Sequence, residues 1–399
     1  MSIKPGALRF NTDSMKLEIF RGSPNYEGSA SMAGIGTLAA GQWEEIVATS
    51  PEAQTGGTRG LVGGGYDSAN RNDINYITVD TTGNAIDFGD LTEARRDLGA
   101  VASRTRGVFG IGFGAANSDT LDYVTISSTG NAIDFGNLTS VRGDSPAPAS
   151  SKTRGVFGGG NPNPGSAQKT TQIDYITIAS TGDAATFGQL AVATRTMMGC
   201  SSSTRGVFAG GEASGNVNTI SYITIAQTGN AVDFGDLSST VSGPGAGCGS
   251  ATRGLFGGGN DGSTINTISF ITISTLGNAA DFGDLTRTAY VISAASNSYR
   301  AIWAAGYPGS GPAYVNTMDY VTIATLGNAQ DFGDMGQSNS AISGVASPTR
   351  AVYGGGYAPA TKNTIEYVTI ANLGNAVDFG DLTQGRSYLG GVSNGHGGL

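Results

Sequence analysis

The sequence predicts an all-β chain: a seven-bladed β-propeller of four-stranded blades over residues 58–399, preceded by a small N-terminal β-hairpin module over residues 1–57. Three observations carry this expectation. A unit of the type TRGVFGGG, then IDYITI, then TGNAIDFGDL recurs with its arginine at Arg59, Arg106, Arg154, Arg205, Arg253, Arg300 and Arg350, spaced 47, 48, 51, 48, 47 and 50 residues apart. Each unit holds four short β-like runs separated by turn residues. One of the four is built of small residues, which suits strands crowded around an axis. Periods of this size mark solenoids, propellers or arrays, and four strands per unit point to a propeller blade.

By length alone, 399 residues could hold two or three domains, but seven copies without a break in composition read as one closed unit plus a leader. Charged residues make up 13%, about half the usual ~25%, and there are 65 glycines. The strict register of apolar positions excludes disorder. A net charge of −9 argues against a nucleic-acid partner, because phosphate binding needs clustered Lys and Arg. The first ten residues, MSIKPGALRF, hold no apolar core of signal-peptide length, and no stretch is apolar for long enough to span a bilayer. A soluble protein, not exported by a standard signal and not inserted in a membrane, is expected.

In the leader, two alternating apolar runs, 7–10 and 17–20, flank the turn formers Asn11, Thr12, Asp13 and Ser14, a hairpin signal. A third run, 42–47, could add a strand, and the Gly/Ser/Ala-rich segment 22–41 between them reads as irregular. Gly6, Arg9, Asn11, Thr12, Asp13, Lys16, Leu17, Glu18 and Trp43 together resemble the short modules found in bacteriophage tail-fibre and other virion proteins. The alternative for so short a segment is a plain hairpin that caps the repeat domain.

Within a repeat, the first run is Arg154–Gly160, where glycines allow a sharp turn. The second, Ile173–Ile178, is β-branched and aromatic and apolar on both faces, as for a sheet sandwiched between neighbours. The third follows a Gly-Asn-Ala or Gly-Asp-Ala turn and carries Asp233–Leu237 in its full form. The fourth is the small-residue run, at 99–103, 198–202, 245–250 and 291–296. Cys200 and Cys248 occupy a slot of this run held elsewhere by Val101, Ala149, Ala295 and Val345, so they read as small apolar filling rather than reactive thiols.

The unit resembles a kelch repeat. Gly159-Gly160 stand where kelch has its di-glycine, Tyr175 where it has its tyrosine, and Phe187-Gly188-Gln189-Leu190 where it has its aromatic-x-x-Leu, with Phe in place of the usual Trp. A kelch-like arginine after the outer strand appears as Arg95, Arg142, Arg195 and Arg386. Numbered this way, the innermost strand of the first blade must come from elsewhere, and 389–394 has the right composition to close the ring. The competing source, 47–55, carries Pro51 and Glu52 and suits an axis less well. A solenoid or open array is disfavoured because neither end shows a capping repeat.

Asp-Phe-Gly occurs in six copies, at Asp87, Asp134, Asp233, Asp281, Asp331 and Asp378, with Thr186 in the remaining one. A second acid follows at Asp90, Asp236, Asp284, Asp334 and Asp381. The triplet is not that of a kinase, since no Gly-rich ATP loop, strand lysine or catalytic loop accompanies it. A ring of calcium sites is one reading, but calcium needs six or more oxygens. The alternative is that these acids bond turn amides or pair with the recurring arginines. The single histidine, His396, leaves no Ser/His or Cys/His pair. No cluster of metal ligands stands out, and neither a cofactor nor catalysis is expected.

In a propeller, the loops joining the first to the second strand and the third to the fourth lie on one face, and here they are uniform. Those joining the second to the third strand and the fourth to the next blade lie on the other face. These vary: the second-to-third loops span 66–73, 114–120, 161–172, 212–219, 260–267, 307–316 and 357–363. They carry Tyr66, Phe113, Tyr307, Tyr314 and Tyr357, with Pro162, Pro164, Pro308, Pro312 and Pro359. Variable loops on a rigid scaffold are where binding residues usually lie, and tyrosine suits protein or sugar contacts; the alternative is neutral loop drift.

Near-identical units of this type look like those of virion proteins of marine bacteriophages. With the leader, this resemblance implies a phage fibre, spike or decoration protein, made in the host cytoplasm and present in several copies per virion. It would join other virion proteins through residues 1–57 and meet a host-surface glycan or protein through the propeller. The rival readings are a structural adaptor without a receptor and a propeller glycosidase acting on surface polysaccharide.

Overall fold

A computed structural model describes residues 7–11, 16–22, 41–45 and 57–394, apart from 115–117, 144–146, 164–167, 244 and 310–313. The chain divides into two compact units, Met1–Pro51 and Glu52–Leu399. In the first, Leu8–Asn11 pairs antiparallel with Lys16–Gly22, which pairs in turn with Gly41–Glu45. The register sets Arg9 opposite Glu18, Asn11 opposite Lys16, and Phe20 opposite Trp43. Gly6, Thr12, Asp13, Pro164, Pro312, His396 and the competing closing segment 47–55 lie outside the described residues.

The second unit is a ring of seven four-stranded antiparallel sheets: a seven-bladed β-propeller. Blades 1 to 7 are counted by their second strands, which begin at the recurring arginines: Arg59–Gly63, Arg106–Gly110, Arg154–Gly158, Arg205–Ala209, Arg253–Gly257, Arg300–Ala304 and Arg350–Gly354. Blade 4 shows the pattern, from innermost to outermost: Met198–Ser201, Arg205–Ala209, Thr219–Thr224 and Val232–Asp236. Gly390–Ser393 is the innermost strand of blade 1, with Val392 opposite Leu61, so the C-terminal segment closes the ring.

The core lies between blades. Leu61, Ile74 and Phe88 of blade 1 pack with Phe109, Val124 and Ile126 of blade 2, and the other junctions repeat this. Small residues near the axis follow from close approach. The valine, alanine or cysteine of one innermost strand presses on the Gly of Arg-Gly in the next blade; a Cβ on Gly254 would lie 2.5 Å from the Cys200 sulfur.

The recurring arginine is a clasp. Each donates from Nη1 to a carbonyl just past the third strand of the following blade, from Arg59 to Ile126 round to Arg350 and Val79, at 2.7 to 3.1 Å. Its guanidinium also lies 4.5 to 5.1 Å from the aromatic ring on its own third strand. The expected pairing of these arginines with the recurring acids is corrected: their partners are carbonyls and rings.

The acids serve the turns. In all six Asp-Phe-Gly copies, the Asp Oδ1 accepts from the Gly amide two residues on, at 2.9 to 3.1 Å. That glycine is held at φ near +140° and touches the Gly-Asn-Ala turn of the next blade; a Cβ on Gly235 would lie 2.5 Å from the carbonyl carbon of Gly277. Across each junction, the turn glycine donates to the preceding blade's Phe carbonyl at 2.7 to 2.9 Å. Every outer strand edge is therefore covered by its neighbour, which removes a template for edge-to-edge aggregation.

Candidate binding face

The variable face is built from two kinds of loop that zip together between blades. The loop leaving one outermost strand bridges, backbone to backbone, with the residue after the Gly-Gly of the next blade, a pair that reads Ile111-Gly112 in blade 2 and Ala305-Gly306 in blade 6. Arg96 bridges Phe113, Gly143 bridges Asn161, Arg195 bridges Glu212, Ser242 bridges Asn260, Tyr290 bridges Tyr307 and Ser387 bridges Tyr66. At the remaining junction, the Tyr357 amide donates to the Ser340 carbonyl at 2.9 Å. One equivalent position per blade thus lies at the rim around the axis, held by Tyr66, Phe113, Asn161, Glu212, Asn260, Tyr307 and Tyr357 in blades 1 to 7, with Asn161 buried.

Because blade 7 adjoins blade 1, the aromatic positions are contiguous. Blades 6, 7, 1 and 2 form one aromatic sector, and blades 3, 4 and 5 form a polar one, where Glu212 holds Arg195 at 2.9 Å and Lys169 at 3.0 Å. In blades 6 and 7 the rings form a chain. Tyr290 meets Tyr307 with centroids 5.4 Å apart, Tyr307 meets Tyr314 at 5.7 Å, and Tyr314 meets Tyr357 at 5.8 Å. In blades 1 and 2, the Arg96 guanidinium lies 4.6 Å from the Tyr66 centroid and 5.1 Å from that of Phe113, a cation shared by rings of adjacent blades.

Tyr388 joins the two halves. Its residue is 41% exposed, its carbonyl accepts from the Asp97 amide at 3.0 Å, and its amide donates to the Ala341 carbonyl at 3.1 Å. It belongs to a set two places before the innermost strands that adopts φ of +51° to +57°: Asp97, Thr196, Val291, Ala341 and Tyr388. Positive φ is costly for residues with a Cβ, above all for a β-branched one, so these backbones are held by the inter-blade packing around them. Partial burial, with the neighbouring phenols Tyr357, Tyr307 and Tyr290, holds the Tyr314 hydroxyl above the ordinary tyrosine range. Burial and the nearby Asp97 carboxylate do the same to Tyr388.

All five sequence-predicted aromatics therefore sit on this face. The structure brings Tyr307, Tyr314 and Tyr357 into one cluster and joins Tyr66 to Phe113 through Arg96. Sequence reasoning missed Tyr290, Tyr388 and Arg96. Tyr290 and Arg96 share an inter-blade bridging slot that holds serine at Ser242 and Ser387, so their departure from the commoner small residue was a usable signal.

The arginines after the outer strands have a different task. Arg95, Arg142 and Arg386 are fully buried at blade junctions, and Arg95 and Arg142 donate to the equally buried Asp122 and Asp174. Arg195 is one residue out of that register: buried Thr194 holds the slot, and Arg195 faces the rim. Arg287, absent from the sequence expectation, reaches the corresponding Asp319 at 2.7 Å.

The axis is a channel of about 310 Å³ lined by the innermost strands. Cys200 and Cys248 stand on that wall half-buried, less enclosed than the Val101 and Ala149 of the same slot. Burial pushes the Cys200 thiol up to about 12 and Cys248 up as well, so neither is a nucleophile near neutral pH. Among the described residues, no three His, Cys, Asp or Glu side chains converge as metal ligands. The face offers rings, one shared cation and hydroxyls, which is the chemistry of a contact surface. No protein-family model matches the chain, and no curated protein matches it.

Proposed function

We propose that this chain is a bacteriophage virion protein, a fibre, spike or decoration, that presents its propeller to the host surface and binds a glycan or protein there. The observation that carries the recognition reading is the aromatic sector. On a ring of seven similar blades, the variable rim positions of four adjacent blades hold exposed or half-buried rings. Aromatic side chains bring large contact area at low entropic cost, and a rigid ring of blades pre-organises them. The virion part rests on the resemblance of the leader and the repeat units to phage proteins. In that setting residues 1–57 attach the chain to other virion proteins, and several copies per particle convert modest affinity into avidity.

The test is a glycan array and a whole-cell binding assay with the full chain, beside a variant carrying Tyr307→Ala, Tyr314→Ala and Tyr357→Ala. Saturable binding that the variant loses while keeping its circular dichroism supports recognition by this face. A folded protein that binds no cell and no glycan is a structural adaptor. Release of oligosaccharide during incubation identifies a glycosidase instead.

A further inference from the structure

The outermost strands carry an exposed pairing of side chains that the blade packing does not use. At each junction, the turn glycine of one blade donates to the Phe carbonyl of the preceding outermost strand, or to Phe187 in blade 3 alike, so the residue before that glycine and the first residue of that strand belong to one junction. Where the strand begins with Ile86, Ile133 or Val377, the turn brings Thr129, Thr181 or Thr82. Where the strand begins with Ala280 or Gln330, the turn brings Leu326 or Leu373 instead, and Val232 meets Leu276. Six of the seven junctions thus hold a large aliphatic side chain, and each of these side chains belongs to a residue 51% to 59% exposed. A lone exposed aliphatic is ordinary on a protein surface. One supplied at junction after junction, from either of two chain positions, is not accounted for by chance exposure.

The aliphatic comes with a carboxylate. The second residue of each of these six strands is the Asp of Asp-Phe-Gly, exposed in every copy. A second acid follows three residues later in five of them. Among the described residues, none of these carboxylates makes an ion pair. The seventh junction lacks both features: Ala185 and Thr228 hold its aliphatic positions, and Thr186 and Gln189 its acidic ones. Aliphatic and acid are therefore present together or absent together. The turn bond to Oδ1 explains an acceptor at the Asp position, but it does not explain an exposed aliphatic beside it.

We propose that this outer rim is a docking surface for a basic partner protein, which lays aliphatic side chains on the exposed Ile, Val and Leu and sets lysine or arginine against the neighbouring Asp. Charge complementarity selects that occupant. The rim of a second copy would bring the same carboxylates against these, in a chain of net charge −9, and like charges facing each other across an interface are strongly disfavoured. Apolar contact supplies affinity, and the row of acids steers a basic partner toward it. The surface is built from outermost strands and uniform turns, so the inference stands apart from recognition by the variable face.

The experiment measures fluorescence anisotropy of fluorescein-Lys-Leu-Lys-Leu-Lys-amide and fluorescein-Lys-Ser-Lys-Ser-Lys-amide with the full chain. The leucine peptide should bind about tenfold more tightly, the scale of partly burying two aliphatic side chains. A variant with the seven exposed aliphatics changed to Ser should erase that difference. A second variant, with the six Asp of Asp-Phe-Gly changed to Asn, keeps an Oδ1 acceptor for each turn amide and should weaken both peptides. Both variants should retain the wild-type circular dichroism, because every altered side chain is exposed. Carbodiimide coupling on the unaltered chain should join the peptide lysines to the Asp of Asp-Phe-Gly. No binding of the leucine peptide, equal binding of the two peptides, binding that survives either variant, or coupling confined to Asp67, Asp97 and Asp261 of the variable face overturns the inference. Dimerisation of the wild type that the Ser variant abolishes overturns it too, since a second copy would then be the occupant.

Discussion

Asn75→Asp should stabilise the propeller at the junction where the chain closes on itself. At three other junctions, a fully buried carboxylate on the third strand (Asp122, Asp174 or Asp319) faces an arginine from the preceding blade. At the closing junction the arginine is Arg386, but the equivalent strand residue is the fully buried Asn75. The nearest carboxylate to Arg386 is Asp73 at 3.5 Å, a quarter exposed and shared with Arg71 at 2.9 Å. Burial pulls the Arg386 guanidinium down to about 10, which is roughly 3 kcal/mol against the charged form. A carboxylate at position 75 would offset part of this and lose part to its own burial, since burial pushes the Asp122 carboxyl up despite Arg95. A net gain of about 1–2 kcal/mol follows, a rise of a few degrees in Tm. A carboxyl raised as Asp122 is takes up its proton more readily in the folded state, so the gain is greatest below the carboxylate range and shrinks as the pH rises through it. The reverse change at an intact junction, Asp174→Asn, should cost about 3 kcal/mol by leaving Arg142 unpaired. Thermal and urea unfolding of both variants, at pH 7 and pH 4, decide the matter. If Asn75→Asp melts at or below the wild type at pH 7, the electrostatic account of the junction is wrong.

Three further outcomes are expected. Gly235→Ala should cost about 2–3 kcal/mol in urea unfolding, because its Cβ meets the Gly277 backbone at 2.5 Å and φ is +140°; an unchanged midpoint would remove the glycine lock. Glu366 is a buried carboxyl that accepts from the Gly336 amide at 2.7 Å, and burial raises its pKa. The folded state therefore takes up its proton first, and this contribution to stability is lost as pH rises through the folded-state value. Glu366→Gln should raise the melting temperature at pH 7 and match the wild type well below the carboxylate range, and parallel curves across pH would refute the assignment. With burial pushing its thiol up to about 12, Cys200 should react only slowly with a disulfide reagent at pH 8 until denaturant is added; fast labelling of the folded protein would refute the raised thiol.

Much of the ring was legible because each structural task recurs in every blade. The arginine of Thr-Arg-Gly, the aromatic pair and the Asp-Phe-Gly turn solve one local problem each, seven or nearly seven times, and repetition separates them from chance. Closure by 389–394 was legible from composition, since only a small-residue strand fits the axis. The pairing of those arginines was not, because a carbonyl acceptor leaves no trace in side-chain identity: Arg154 finds the Ile225 carbonyl at 2.9 Å, and any residue could have offered it. Arg287 escaped notice because its side chain reaches the Asp319 site from a position two residues before buried Ala289, which follows Leu285 as Arg95 follows Leu91. The aromatic sector was hidden for a topological reason. Tyr66 and Tyr357 are almost three hundred positions apart in the chain and become neighbours only once blade 7 meets blade 1.

That closure has a consequence for how the protein is made. The innermost strand of blade 1, Gly390–Ser393, pairs with Arg59–Gly63, so a ribosome must deliver all seven repeats before the first blade can be finished. Blades 2 to 7 each draw their four strands from one continuous stretch and can form as they emerge. Until the last strand arrives, Arg59–Gly63 has an unpaired edge, which a nascent neighbour on the same message could occupy with its own small-residue strand. A truncated product keeps that edge permanently, and with it a tendency to exchange strands or be degraded. Delivery of Gly390–Ser393 is thus the step that separates an open, associating intermediate from a closed ring.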